Sequence, residues 1–166
     1  CNGILFNHES PRRGSNFVTN KVVKAAVEIS KGLRDKLPLG NLEAYRDWGH
    51  SKDYVIGIWK ILQYKKPEDF VISTGQNYSI EDFIKKVFKI VGLNWKKFVS
   101  TNNKKFLRPS EVRSLRGDSS KARKLLKWKP KYNLDDLAKD MLMNDLKLYG
   151  MNLEQAKKIA KKLSKK

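Results

Sequence analysis

The sequence holds a single cysteine, Cys1. One thiol cannot build a disulfide framework or a cysteine-based zinc site. Histidine is nearly as scarce: His8 and His50 lie far apart and show no metal-ligand spacing, so no metal site is read. No run approaches the ~18 consecutive apolar residues that a membrane-crossing helix needs. The first ten residues, CNGILFNHES, have no basic segment and no small-residue cleavage site, so they do not read as a signal peptide. G-x-S-x-G, H-E-x-x-H, the Walker loop and G-x-G-x-x-G are all missing. These absences exclude a disulfide-stapled scaffold, a zinc module, a membrane span and any self-sufficient catalytic set. They favour a reducing, cytoplasmic setting.

Acidic residues are also few, 17 against 36 Lys plus Arg, and the formal charge is +19. Such a surplus favours anionic partners: nucleic acid, an anionic membrane or phosphorylated small molecules. Only eight of the 36 are Arg, however, and the Lys are scattered along the whole chain. Bidentate phosphate and base readout prefers Arg. The Lys-rich stretches also lack interleaved stacking aromatics. The charge therefore reads mainly as solvated lysine faces, and no specific nucleic acid and no membrane is expected as a partner. The length of 166 residues suits one hydrophobic core, and 40% hydrophobic residues, with seven Phe, six Tyr and four Trp, is a globular composition.

The chain alternates strand and helix patterns. Gly3 to Phe6 reads as a buried strand, and Asn7 to Ser15 as a loop carrying Pro11 and Gly14. Phe17, Val18, Val22, Val23, Ala26, Val27 and Ile29 recur at helical spacing, with Gly32 as the cap. Leu37 to Leu39 is a short extended run. A second helix is expected from Ser51, as N-cap, to Gln63, with Tyr54, Val55, Ile58, Trp59 and Leu62 on its apolar face. Phe70 to Ile72 is a strand. Ser79 to Asp82 caps a third helix bearing Phe83, Ile84, Val87, Phe88 and Val91. Residues 94 to 107 read as irregular, with a possible strand at Phe98-Val99. Helices follow over 118 to 126 and 133 to 149, then an amphipathic Lys-rich tail from 150 to 166. This is α/β, with too few strands for a complete doubly wound sheet.

Three Arg-bearing loops each precede a helix: His8-Glu9-Ser10-Pro11-Arg12-Arg13, Arg46-Asp47-Trp48 and Arg108-Pro109-Ser110-Glu111. Ligands of open α/β sheets bind at the carboxyl ends of strands. A guanidinium offers the bidentate geometry that a phosphate accepts. One such loop alone is as well read as a solvated surface. Three together suggest a shared anionic ligand.

The strings NHESPRRG, NFVTNK, LGNLEAYRDWGHSKDYV, PEDFVISTG, RPSEV and LKWKP, in that order, resemble the GDP-mannose 4,6-dehydratases, which are extended short-chain dehydrogenase/reductases. The resemblance runs from Cys1 to about Leu146. It implies a Rossmann domain for NADP and a smaller C-terminal domain for the nucleotide sugar. The family's glycine fingerprint, its Thr and Glu, and its Tyr-x-x-x-Lys do not occur in these 166 residues. The resemblance therefore implies the C-terminal, substrate-binding portion of the enzyme, with a remnant of the Rossmann sheet at its N-terminus. Residues 1–149 would form that portion and 150–166 an appended helical tail. No catalytic residue is assigned, and the chain is expected to be inactive alone.

Position by position, the resemblance implies that His8 and Arg13, with neighbouring Arg12, contact NADP. It places Asn7 on the diphosphate or sugar of GDP-mannose, and Val18 and Lys21 on the GDP half. Leu39 and Asn41 would line the base pocket, Arg46 and Arg108 would hold the diphosphate, and Glu111 would accept from ribose hydroxyls. Val18 and Leu39 are equally read as core, Lys21 as a surface lysine, and Trp48 and His50 as packing of the Arg46 loop. The family is oligomeric, so a homo-oligomer is implied. The chain departs from the family in the Lys- and Asn-rich connector between Gly92 and Phe106, in the lack of a Pro near Ser119-Ser120, and in its tail. Another nucleotide-sugar epimerase or reductase is the alternative on the same scaffold, and a basic nucleic-acid-binding protein the alternative from another class.

Overall fold

A computed structural model of the chain describes residues 1–101 and 112–163. Four helices share the larger core. Helix α1, Val18–Lys31, buries Val22, Val23, Ala26, Val27 and Ile29, and Gly32 ends it in the left-handed region at φ 74°. Two further helices start on reciprocal caps, in which a side chain and a backbone N–H at each start satisfy one another. They are α3, Ile80–Val91, capped by Ser79 and Asp82, and α6, Leu134–Leu148, capped by Asn133 and Asp136. Helix α7, Leu153–Leu163, lays Ala156 and Ala160 into the same core.

A smaller core joins α2, Ser51–Leu62, and α5, Ser120–Leu126, to strand β6, Phe70–Ile72. It holds Tyr54, Ile61, Phe70, Ile72, Ala122, Leu126 and Trp128. Strand β1, Gly3–Leu5, runs parallel to β6. Strand β2, Asn7–Glu9, runs parallel to β5, Trp48–His50, with His8 opposite Gly49. Strand β3, Leu37–Pro38, pairs in parallel with β8, Val99–Ser100, beyond the single-turn helix α4, Trp95–Phe98. Strand β4, Tyr45–Arg46, pairs antiparallel with β7, Tyr78–Ser79. The mostly parallel strands with helices between them bear out the α/β reading.

Three local expectations are corrected. Asn7 to Glu9 and Trp48 to His50 are paired strands rather than loops. The cap of α2 is His50, whose Nδ1 accepts from the Lys52 N–H, while the Ser51 hydroxyl donates to the Glu9 carbonyl at 3.0 Å. The side of α2 that faces inward carries Asp53, Tyr54, Gly57 and Ile61, and Val55, Ile58, Trp59 and Leu62 are exposed. A Cβ on Gly57 would press on Ile72 and Trp128, so glycine lets the helix backbone close against that core. Among the described residues, no helix is long and apolar enough to cross a membrane.

Candidate anion-binding site

The chain leaves β1 at Phe6, whose N–H still reaches the Ile72 carbonyl at 3.0 Å, and bends into β2. Beyond Glu9 it turns sharply. The Arg13 N–H closes the turn on the Ser10 carbonyl at 2.9 Å, and the Asn20 amide in α1 holds the Arg13 carbonyl at 2.7 Å. The turn thus sits between the carboxyl end of a strand and the start of a helix. A cavity of about 330 Å³ opens there, lined by Leu5, Phe6, Asn7, His8, Arg13 and Leu115. The structure brings Asn7, His8 and Arg13 together on it. Arg12 points to solvent, with its N–H on the Ser10 hydroxyl at 3.2 Å.

His8 is oriented from two sides. Its Nδ1 lies 2.9 Å from the Phe6 carbonyl, which can only accept, so Nδ1 carries a proton and Nε2 is the remaining polar atom. The ring stacks on Tyr54 at 5.1 Å between centroids. Gly49, opposite His8, makes that possible, because a Cβ there would overlap the Tyr54 ring. Burial, and then the nearby carboxylates of Asp47, Asp53 and Glu9, push the Tyr54 phenol far above its ordinary range, so it stays neutral.

Arg13 lies flat over Phe17, its guanidinium carbon 3.4 Å from the ring centroid. Its Nε is 2.9 Å from Glu9 Oε2, but the N–H is turned off the line of a hydrogen bond. Glu9 is only 2% exposed, and the Thr19 hydroxyl donates to the same oxygen at 2.6 Å. Burial raises the Glu9 carboxyl above its ordinary value, opposed by the Thr19 bond and by the charges of Arg13 and His8. A guanidinium, an imidazole and an amide on one small cavity offer donors of the kind that a phosphate or another small anion accepts from.

The other sequence-assigned residues lie around β3 and β4. Leu39 is buried, and its N–H bonds the Ser100 carbonyl at 2.8 Å. Arg46 Nη1 donates to the carbonyls of Tyr45 and Val112, both at 2.8 Å. The two strands thus hold the chain on either side of residues 102–111. Asn41 lines a second cavity of about 690 Å³ with Leu42, Glu43, Tyr45, Ser79, Glu81, Arg113 and Ser114. The Asn41 side-chain oxygen accepts from the Glu43 N–H at 2.8 Å. Val18 and Lys21 are half-buried at the start of α1. Val18, Lys21, Leu39 and Arg46 are not among the described lining of either cavity. Arg108 and Glu111 lie outside the described residues.

Reading the sequence missed Asp47 as a support. It is fully buried and accepts from the N–H groups of Thr74, Gly75 and Gly117 at 2.9, 2.9 and 3.2 Å. It ties the Arg46 segment to the end of β6 and to the chain entering α5. A carboxylate between a strand-end Arg and a Trp, followed downstream by a Thr-Gly turn, was the available signal. Glu9, Thr19 and Leu115 were also missed. Among the described residues, no group of three or more His, Cys, Asp or Glu could hold a metal ion.

The family model for GDP-mannose 4,6 dehydratase matches residues 1–141. The chain is 51% identical over 148 residues to GDP-mannose 4,6 dehydratase 1 of Arabidopsis thaliana, covering 89% of this chain and 41% of that protein. It is 44% identical to the GDP-mannose 4,6 dehydratase of Homo sapiens, covering 91% of this chain and 45% of that one. The chain therefore spans less than half the length of these curated relatives. Among solved structures, RMD from Pseudomonas aeruginosa complexed with NADPH superposes with a TM-score of 0.80 at 19% identity, covering 88% of this chain and 48% of that one. The UDP-glucuronic acid 4-epimerase of Bacillus cereus, in complex with UDP-glucuronic acid and NAD, superposes at 0.75 and 23%, covering 89% and 45%.

Proposed function

Since the chain belongs to the GDP-mannose 4,6-dehydratase family, we propose that it forms the nucleotide-sugar-binding portion of an NADP-dependent GDP-mannose 4,6-dehydratase. Residues 1–149 make up that portion, and 150–166 are an appended tail that carries α7. The observation that carries this reading is the convergence of Asn7, His8 and Arg13 on one cavity at the carboxyl end of β1. When bound, NADP supplies reversible hydride exchange with the sugar, and the net reaction is loss of water from GDP-mannose to give GDP-4-keto-6-deoxymannose.

The chain's own residues bind and orient. Arg13 and His8, with Arg12 at the rim, take the cofactor's phosphate-bearing part, and Asn7 faces the sugar diphosphate. Arg46 and Arg108 clamp the GDP diphosphate, with Lys21 adding charge. Two phosphates carry about two negative charges, which these cations can neutralise. Leu39, Asn41 and Val18 bound the nucleoside, and Glu111 takes the ribose hydroxyls. The 166 residues contain neither G-x-G-x-x-G nor Tyr-x-x-x-Lys, so the proposal assigns them binding and no bond-breaking step. In the assembled enzyme the protein is a homo-oligomer.

The test is to incubate the full-length gene product with GDP-mannose and NADP and identify the product by mass and carbonyl reactivity. The 4-keto-6-deoxy sugar nucleotide is expected, and none from residues 1–166 alone. An epimerised or reduced sugar of unchanged 6-hydroxyl would favour the epimerase or reductase alternative on the same fold.

A further inference from the structure

We propose that Glu9 is a positioning residue that aims the Arg13 guanidinium into the cavity shared with Asn7 and His8. This rests on the reading of Arg13 as a cofactor contact. The geometry has three parts. Glu9 Oε2 sits 2.9 Å from Arg13 Nε. The Phe17 ring covers one face of that guanidinium, 3.4 Å from its carbon. The Thr19 hydroxyl, fully buried in the first turn of α1, fixes the Glu9 carboxylate at 2.6 Å.

A long, flexible cation loses rotamer freedom when it grips an anion. Here the rotamer is set before any ligand arrives, by a carboxylate in β2, the ring of Phe17 just before α1, and a hydroxyl in α1. Preorganisation of this kind lowers the entropy that binding must overcome. The arrangement is not explained by stability. A carboxylate 2% exposed is costly to ionise, and its raised protonation range shows that Arg13 and Thr19 do not fully offset the burial. Among the described residues, the titratable and charged groups that act on Glu9 are His8 in β2 and Arg13 in the turn, with the Thr19 hydroxyl in α1, and Glu9 in turn acts on Tyr54 in α2.

The test measures NADPH affinity of the full-length gene product by fluorescence titration for Glu9→Gln, Arg13→Ala, the double variant and Thr19→Val. It also follows the Arg13 Nε–H resonance in the 15N spectrum. Glu9→Gln keeps the shape and an acceptor for Thr19. It is expected to weaken NADPH about tenfold, to add nothing once Arg13 is Ala, and to shift the Arg13 Nε–H signal. Thr19→Val is expected to give a smaller loss in the same direction. Arg13→Ala weakening NADPH while Glu9→Gln leaves both affinity and the Nε–H signal unchanged would overturn the positioning role. Full additivity of the two substitutions would overturn it as well. Unchanged affinity in Arg13→Ala, or no binding by the unaltered protein, would instead overturn the cofactor reading beneath it.

Discussion

Helices α2 and α3 carry similar apolar stripes in the sequence and meet opposite fates in the fold. α3 sinks Phe83, Ile84, Val87, Phe88 and Val91, none more than 1% exposed. α2 turns Val55, Trp59 and Leu62 outward at 57%, 58% and 69% exposure. The neighbours decide. α3 is surrounded by α1, α6 and α7, so its whole stripe finds partners. α2 is gripped on its polar side: Asp53 accepts from the N–H groups of Lys131 and Tyr132, and its carbonyl accepts from the Trp128 indole at 2.8 Å. Gly57 lets Ile72 and Trp128 close on the backbone. Buried polar groups must be satisfied, and one well-satisfied carboxylate outweighs where a stripe would otherwise point. What remains outward, with Ile56 and Ile58, is a contiguous apolar patch of the kind that marks a contact surface.

The comparison is sharpened most by paired truncations. Phe88→Ala in α3 should cost about 3–5 kcal/mol in urea unfolding, the usual range for a buried aromatic. Trp59→Ala in α2 should change the same chain, measured at concentrations where it is monomeric, by less than about 0.5 kcal/mol, as exposed positions do. Equal costs would break the distinction between the two helices. A somewhat smaller loss, about 2–4 kcal/mol, is expected for Asp47→Ala, because three N–H groups, the Gly117 one buried and the other two half-buried, lose their acceptor. A change within error would mean that this junction is not held by that carboxylate.

The outward stripe has its own test. Residues 1–166 should self-associate, and Trp59→Lys with Leu62→Lys should shift their mass in solution toward the monomer. A monomeric unaltered chain would show that the patch is harmless in isolation.

Smaller still is the effect of pH through Glu9. Its folded pKa lies above the unfolded value, so its contribution is fully present below the unfolded pKa and is lost as pH rises through the folded one. Stability of the unaltered chain should therefore fall relative to Glu9→Gln as pH rises from about 4 toward neutral. A flat difference across that window would contradict the burial cost assigned to this carboxyl. Last, the scattered lysines should bind DNA no better than about micromolar at physiological salt. A nanomolar, sequence-preferring complex would restore the nucleic-acid reading.

Much of the fold was legible because its signals are local. The Ser79/Asp82 cap, the glycine stop at Gly32, and the repeating Val and Phe of α1 and α3 act over one or two turns. Strands β2 and β5 were not legible, since neither carries an apolar run and only their mutual pairing makes them strands. The outward turn of α2 was hidden for a related reason. It depends on Asp53 meeting residues 131 and 132, a long-range contact that periodicity cannot show. At the site, the cavity residues Asn7, His8 and Arg13 were legible through an ordered string. Glu9 was overlooked because a carboxylate among cations reads as surface charge until its burial is seen.

The most direct test crosses two variants with two ligands. Arg13→Ala and Arg46→Ala, made in the full-length gene product, are each titrated with NADPH and with GDP by calorimetry. The account expects Arg13→Ala to weaken NADPH by about 1.5–3 kcal/mol and leave GDP nearly unchanged, and Arg46→Ala to do the reverse, the size being that of a lost charge-assisted hydrogen bond. Equal losses of both ligands in both variants, or no loss in either, would contradict it.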